Sequence, residues 1–171
     1  MQVRIGHFIE TESLGGAEQV MLDLARFTKV SSETFYPVVL HFGNSWISQQ
    51  CERHGIEQLI IPFRRTFKRG IKLPAFAFQF SRWLKAHRIA LLHSHLFGPV
   101  TGGAPAAFLA GIPHVGTLHD VYMIEEKPSR ILLIKLAIML GTRLVTVSKD
   151  MEQFYSSRMN FPHDSIRTIY N

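Results

Sequence analysis

Short apolar runs alternate with longer amphipathic segments along the chain, and this alternation predicts a parallel α/β sheet. The first run, Val3–Ile9, has the apolar, β-branched character of a buried strand. Each gap between runs is long enough for a crossover, as parallel strands require. The predicted strands are 3–9, 37–42, 56–62, 91–95, 113–118, 143–147 and 166–169. We therefore predict one domain over residues 1–171, a doubly wound, mostly parallel, Rossmann-like sheet of seven strands.

The segments between the strands carry apolar residues at helical spacing. In the first segment, Val20, Leu24 and Phe27 recur at the interval expected for the core-facing side of a helix. In a later segment Phe76 and Phe80 share one face and are expected to pack inward. The predicted helices are 17–25, 47–54, 74–88, 100–110, 128–140 and 150–157, and residues 64–72 are the least regular part.

In such a sheet the binding crevice lies outside the carboxyl ends of the strands, so the residues that follow each strand are the candidates for function. Gly15 and Gly16 follow the first strand and precede a helix. Glycine lets the backbone approach a ligand, and the N–H groups of a helix N-terminus attract a phosphate or diphosphate. The segment lacks the G-x-G-x-x-G pattern of dinucleotide sites. A tight turn, with Glu18 as a first-turn carboxylate, is the alternative.

Histidines follow the fourth and fifth strands. His93 and His95 are two residues apart, so both imidazoles point to the same side of their strand. We expect His95, His119 and Asp120 around one cleft, where imidazole can donate to a phosphate or hydroxyl group or accept a proton. A zinc site is one alternative, although it needs at least three protein ligands. A core histidine with a satisfied hydrogen bond is the alternative for His93.

The net charge of +6 comes from one segment. Eight basic residues and no acidic one lie between Glu57 and Asp120, whereas the rest of the chain has 11 basic and 13 acidic residues. Basic residues interleaved with aromatic ones suit an anionic membrane surface, where each cation contributes about 1 kcal/mol. A solvated basic loop is the alternative, and no nucleic-acid recognition motif is present. We define the basic patch as Arg64, Arg65, Lys68, Arg69 and Lys72.

The composition, 46% apolar and 19% charged, is that of a globular protein. The single cysteine, Cys51, permits no internal disulfide and favours a reducing compartment. A strand beginning at Val3 leaves no room for a signal peptide, and the longest apolar stretch, Ile131–Leu140, is too short to span a bilayer. We expect a cytoplasmic protein, peripheral on the inner face of the membrane if the basic patch binds lipid.

Taken together and in order, the strand-end segments resemble the N-terminal domain of family-4-type glycosyltransferases of the GT-B fold. The resemblance covers essentially the whole chain and rests on the ordered set rather than on any single motif. The matching segments are Gly15-Gly16-Ala17-Glu18, His93-Ser94-His95, Thr117-Leu118-His119-Asp120, Val145-Thr146-Val147-Ser148-Lys149 and Ile169-Tyr170-Asn171.

The resemblance implies sugar transfer with retention of configuration, from a nucleotide-sugar donor to a glycan or lipid-linked acceptor, with no metal or other cofactor. Gly15 and Gly16 would approach the donor diphosphate, and His119 would be the catalytic residue beside the reacting centre. His95 and Asp120 would contact the acceptor. The nucleotide and a pair of glutamates belong to a second domain, which we expect this chain to lack, so the isolated domain is expected to be inactive.

Two other classes stay open at the level of sequence. A metal-dependent hydrolase would use His93, His95, His119 and Asp120, and stoichiometric zinc would favour it. A non-catalytic module that binds anions or membrane would be favoured if the natural chain ended at Asn171.

Overall fold

A seven-stranded parallel sheet with helices on both faces forms the body of the molecule, as the sequence predicts. The computed structural model describes residues 2–11, 15–67, 72–159 and 165–170. The strands are β1 Val3–Ile9, β2 Phe35–His41, β3 Glu57–Ile60, β4 Leu91–His95, β5 His114–Leu118, β6 Arg143–Thr146 and β7 Ile166–Thr168.

The helices connect successive strands, and six of them correspond to the six predicted ones. They are α1 Gly16–Ser31, α2 Ser45–Arg53, α3 Arg64–Phe67, α4 Leu73–Ala86, α5 Phe97–Ala110, α6 Tyr122–Glu126, α7 Ile131–Met139 and α8 Lys149–Met159. The short helices α3 and α6 were not predicted, because a single turn has no periodicity to detect. The helix predicted over 128–140 begins as a 3₁₀ turn at Pro128–Arg130 and continues as α7.

The chain reverses its direction of travel across the sheet between β1 and β4. The strand order is β3-β2-β1-β4-β5-β6-β7, and every neighbouring pair is parallel. Ile9 and His95, at the carboxyl ends of β1 and β4, are register partners. Since the connections from these two strands leave in opposite directions, a crevice opens at their ends.

One face of the sheet packs against α4 and α5 through aromatic side chains. Phe76 and Phe80 on α4 are fully buried, as predicted, and their ring centroids lie 6.5 and 5.1 Å from that of Phe8 on β1. Helix α5 lies close over β4, where Gly103 faces Ser94. This packing fixes the orientation of β1 and β4 and therefore of the crevice at their ends.

The buried side of α1 on the opposite face differs from the predicted one. Ala17, Met21, Leu22 and Ala25 are the buried apolar residues, whereas Phe27 is 70% exposed. Val20, Leu24 and Phe27 form a second apolar stripe beside the buried one, so the prediction of a core stripe at these positions is wrong. Together with residues from β1 and β4 to β6 they line an apolar groove of about 900 Å³, called the sheet groove below.

Two further sequence expectations concern Cys51 and the membrane. Cys51 on α2 is buried, and burial raises the pKa of its thiol to about 11, which agrees with an inert core cysteine.

Within the described ranges, no helix combines the length and the apolar character needed to cross a bilayer.

Candidate functional site

A cavity of about 360 Å³ lies at the point where the strand order reverses, and it is called the crevice below. It brings together four residues predicted from the sequence, Gly15, Gly16, His119 and Asp120. The first two come from the start of α1 and the other two from the loop after β5. The complete lining is Thr11, Gly15, Gly16, Ala17, Glu18, Leu96, His119, Asp120 and Val147.

The N-terminus of α1 forms the glycine side of the crevice. Gly15 is the N-cap residue, its backbone is extended, and it offers no side chain to the N–H groups of the first turn. A Cβ placed on Gly16 would meet no atom within 4 Å, so protein packing does not require glycine there. The open space and the N–H groups suit an anionic ligand that approaches the backbone.

Glu18 adds a carboxylate to the same cavity. It lies in the first turn of α1, as the sequence indicated, but only 3% of its surface is exposed. One of its carboxylate oxygens lies 3.2 Å from the position that a Cβ on Gly15 would occupy. The crevice therefore combines an end suited to anions with a hydrogen-bond acceptor suited to hydroxyl groups.

His119 is half-buried on the opposite side of the crevice. Among the described residues, its Nε2 atom has no hydrogen-bond partner. Burial lowers the pKa of His119, and the negative charges of Asp120 and Glu18 oppose that shift. A neutral imidazole with a free ring nitrogen can donate to or accept from a ligand in the crevice.

The loop that carries His119 is held in place by a hydrogen bond from a residue that the sequence did not reveal. The hydroxyl of Tyr155 on α8 donates to the backbone oxygen of Asp120 over 3.0 Å. The Asp120 carboxylate accepts from the backbone N–H of Tyr122, the first residue of α6, over 3.1 Å. Because Tyr155 is almost completely buried, it positions the loop without reaching the cavity.

Backbone strain marks the floor of the crevice at Leu96. Leu96 has φ 74° and ψ 159°, a region that is essentially confined to glycine and costs about 1–3 kcal/mol. Its N–H donates to the Thr117 carbonyl over 3.0 Å, which holds this conformation. Strain of this kind concentrates at functional sites, but a leucine gives no sign of it in the sequence.

His95 and His93 lie beside the crevice rather than in its lining. Both side chains line the sheet groove, together with His7 from β1, which the sequence analysis did not single out. His95 is buried, with its ring centroid 5.8 Å from that of His119. His93 Nε2 lies 2.8 Å from Thr117 Oγ1, a satisfied hydrogen bond of the kind considered as its alternative.

The residues of the hydrolase alternative are thus divided between two cavities. His119 and Asp120 line the crevice, while His93 and His95 line the sheet groove. Within the described ranges, the group of potential metal ligands that the structure brings together is His7 with His93 and His95. Neither His119 nor Asp120 belongs to this group.

A smaller cavity of about 270 Å³ lies next to the crevice, at the carboxyl ends of β1 and β2, and is called the side cavity below. Thr11 lines both cavities, and Arg64 of the basic patch lines the side cavity. Arg65 on α3 and Lys72 before α4 are exposed. The other two residues of the basic patch, Lys68 and Arg69, lie outside the described residues.

Comparison with known families agrees with this geometry. The model of glycosyltransferase family 4 matches residues 14–171, nearly the whole chain. The chain belongs to glycosyltransferase family 4. The resemblance inferred from the strand-end segments is therefore confirmed.

Solved structures share the fold of this family-4 chain at low sequence identity. The Anabaena protein Alr3699/HepE, solved with UDP and glucose, aligns with a TM-score of 0.75 and 18% identity over 99% of this chain and 44% of its own. A glycosyltransferase from Rickettsia africae ESF-5 aligns with a TM-score of 0.72 and 14% identity, over 99% and 43%. The lipopolysaccharide outer core galactosyltransferase WaaB gives 0.68 and 14%, over 99% and 46%.

The family-4 chain spans less than half the length of these solved proteins. A search of curated proteins found no match. The seven-stranded α/β sheet corresponds to one half of their GT-B fold, as the sequence analysis predicted.

Proposed function

We propose that this chain is the N-terminal, acceptor-side half of a retaining glycosyltransferase, which moves a sugar from a nucleotide-sugar donor to a glycan or lipid-linked acceptor. One observation carries the proposal: the glycine end of α1 and the imidazole of His119 line the same cavity at the point where the strand order reverses. Membership of family 4 and the UDP and glucose bound to HepE support a nucleotide-sugar donor.

In this proposal the donor diphosphate approaches Gly15 and Gly16. The N–H groups and the positive end of α1 stabilise the negative charge that grows on the leaving diphosphate, so no metal ion is needed for that purpose. His119 hydrogen-bonds to the donor sugar or phosphate. The Glu18 carboxylate, next to Gly15, is suited to accept hydrogen bonds from sugar hydroxyl groups.

The acceptor would enter through the side cavity, which shares Thr11 with the crevice. Asp120 is exposed at the rim of the crevice and could contact an acceptor hydroxyl group. His95 is buried, so in this proposal its ring helps to hold His119 in place. It contacts the acceptor only if the acceptor enters the sheet groove. Arg64 connects the side cavity with the basic patch.

We further propose that the basic patch docks the enzyme on an anionic membrane surface that carries the acceptor. Arg64, Arg65 and Lys72 project from a short helix and the start of the next one, and they are exposed. This arrangement supports a peripheral location on the cytoplasmic face of the membrane. A lipid-linked acceptor would then lie close to the side cavity.

The first prediction tests the site in the complete enzyme, in which this chain is joined to the donor-binding half. With a panel of nucleotide hexoses including UDP-glucose, His119→Asn should lower kcat/KM by about 10²–10³-fold, because a preorganised hydrogen bond to the reacting centre is lost. Release of nucleoside diphosphate measures the rate, and NMR of the product gives the anomeric configuration.

His54→Asn is the matched control, because this histidine lies at the end of α2, away from both cavities. It should leave the rate unchanged. The chain of 171 residues alone should transfer no sugar, since it surrounds only part of the donor. Robust transfer by that chain, or full activity of His119→Asn, would contradict the proposal.

A further inference from the structure

We propose that His7, His93 and His95 form a binding site for a divalent transition metal, with zinc as the best match, on the groove side of the sheet. The site is separate from the crevice, and the function proposed above uses only one of its residues, His95, which lies next to His119.

The three histidines come together because β1 and β4 are neighbours in the sheet. His7 and His93 are register partners, and His95 lies two residues further along β4 on the same side. The ring centroids are 5.3 Å apart for His7 and His93, 5.7 Å for His7 and His95, and 4.2 Å for His93 and His95. One ring nitrogen from each residue lies within 4.8 Å of the other two.

The hydrogen bonds of the buried rings are incomplete. His7 Nδ1 and His95 Nε2 lie 3.5 Å apart, and this contact can use only one N–H and one bare nitrogen. Among the described residues, the remaining nitrogens, His7 Nε2 and His95 Nδ1, have no hydrogen-bond partner, although both residues are buried. The two rings are therefore held together only by one contact at the limit of hydrogen-bond distance, and a metal ion between His7 Nδ1 and His95 Nε2 would replace that contact.

The third ring is already oriented by its neighbour. His93 Nε2 lies 2.8 Å from Thr117 Oγ1. When Nε2 donates this hydrogen bond, Nδ1 is left bare and available to a metal, which is the usual way in which an outer hydrogen bond orients a histidine ligand. Thr117 would then act as the positioning residue of the site.

The spacing suits zinc after small movements of the rings. Zinc binds imidazole nitrogen at about 2.0–2.1 Å, which places two tetrahedral ligands about 3.3–3.4 Å apart. The 3.5 Å between His7 Nδ1 and His95 Nε2 is close to this value. Three histidines leave a fourth position for a small ligand, and the sheet groove next to the rings has room for one.

The protonation states agree with this geometry. Burial lowers the pKa of His7 to about 3 and that of His93 to about 4, and the pKa of His95 lies well below its ordinary value for the same reason, with its histidine neighbours adding to the effect. The rings are therefore neutral near pH 7, which is the form that binds metal.

The test uses Zn²⁺ alone, added to the metal-free 171-residue chain and followed by dialysis and elemental analysis. We expect one equivalent of bound zinc. Co²⁺ in its place should give the intense visible absorption of a tetrahedral site. His7→Asn and His93→Asn should each weaken zinc binding at least about 100-fold. Loss of a metal ligand weakens binding more than loss of a residue that only hydrogen-bonds to a ligand. His54→Asn should bind zinc like the wild type.

A second measurement requires no substitution and covers the case in which a variant fails to fold. In ¹H–¹⁵N spectra of the imidazoles of the wild-type chain, Zn²⁺ should shift three rings in slow exchange. Unchanged spectra would mean that the three rings bind no zinc, and zinc binding that survives both substitutions would place the metal elsewhere. Either result overturns the proposal, whatever the outcome of the transfer assay with His119→Asn.

Discussion

Gly103 lies where α5 crosses closest to β4, and the space around it is too small for a methyl group. A Cβ at this position would lie 2.6 Å from Ser94 Oγ, 3.1 Å from Leu92 Cδ2 and 3.3 Å from His114 Nε2. These neighbours are buried and belong to the sheet, so they have little freedom to move. The contact sets the distance between α5 and the strand that ends at the crevice.

At this scale we predict that Gly103→Ala lowers the free energy of unfolding by about 1–3 kcal/mol, the usual cost of overpacking a core. Gly98→Ala is the matched control in the same helix, because its nearest atom, Phe67 Cζ, would be at an ordinary contact distance of 3.5 Å. Urea unfolding of both variants measures the difference. Equal free energies of unfolding for the two variants would show that the sheet moves to accommodate the extra methyl group.

The sequence predicted the crevice residues that follow strands but not those that support them. Gly15 and His119 could be found because the carboxyl ends of parallel strands meet at one edge. His7 was missed because its position beside His93 depends on the strand order, which the sequence does not specify. Tyr155 and Leu96 act through a tertiary hydrogen bond and a backbone angle, and neither has a pattern in the sequence.

At the scale of elements, the sheet carries histidines with lowered pKa values on both faces. His7 and His93 face the sheet groove, and His114 on β5 lies on the other face, between Ser94 and Thr142. Burial is the main cause that lowers the pKa of each, to about 3 for His7 and His114 and about 4 for His93.

These histidines predict a loss of stability in acid. An unfolded histidine has a pKa of about 6.5, so below that pH the unfolded chain binds more protons than the folded one, and the free energy of unfolding decreases as pH falls. Between pH 7 and pH 5 each of the three should cost about 2 kcal/mol. Urea unfolding in the presence of a chelator, at several pH values, measures the slope.

His114→Asn provides the control for that slope. It keeps a polar side chain near Ser94 and Thr142 but removes one titrating group, so the loss of stability between pH 7 and pH 5 should shrink by about 2 kcal/mol. A free energy of unfolding that stays constant from pH 7 to pH 5 would mean that the histidines have nearly the same pKa values in the folded and unfolded states, as expected for rings in contact with water.

Helix α1 illustrates why some element-level predictions fail. Met21, Leu22 and Ala25 form one apolar stripe, and Val20, Leu24 and Phe27 form another beside it. Both satisfy helical periodicity, and only the position of the helix on the sheet decides which one is buried. The strands were easier to predict because a parallel strand covered on both faces is apolar throughout.

At the scale of the whole molecule, the uneven distribution of charge is the feature with a testable consequence. Flotation with vesicles rich in anionic lipid should recover the chain, and neutral vesicles should recover little. In the double variant Arg64→Ser/Arg65→Ser, two cations are lost at about 1 kcal/mol each, so membrane partitioning should weaken roughly 30-fold.

The control Arg26→Ser/Arg53→Ser removes the same charge from α1 and α2, outside the basic patch. If binding follows only the net charge, both double variants will weaken equally. Equal recovery with anionic and neutral vesicles would contradict membrane docking by the basic patch and leave it a solvated surface.

The central position of β1 also affects how the protein is made. β1 is complete within the first ten residues, and β2 can pair with one of its edges, but the partner of its other edge, β4, begins at Leu91. A ribosome that adds 5–20 residues per second needs about 4–16 s for the intervening stretch of about 80 residues. During that time one edge of the apolar strand β1 has no partner strand on the nascent chain, so it can pair with other chains. The arrangement that opens the crevice therefore also makes the central strand of the sheet wait for a partner that is synthesised late.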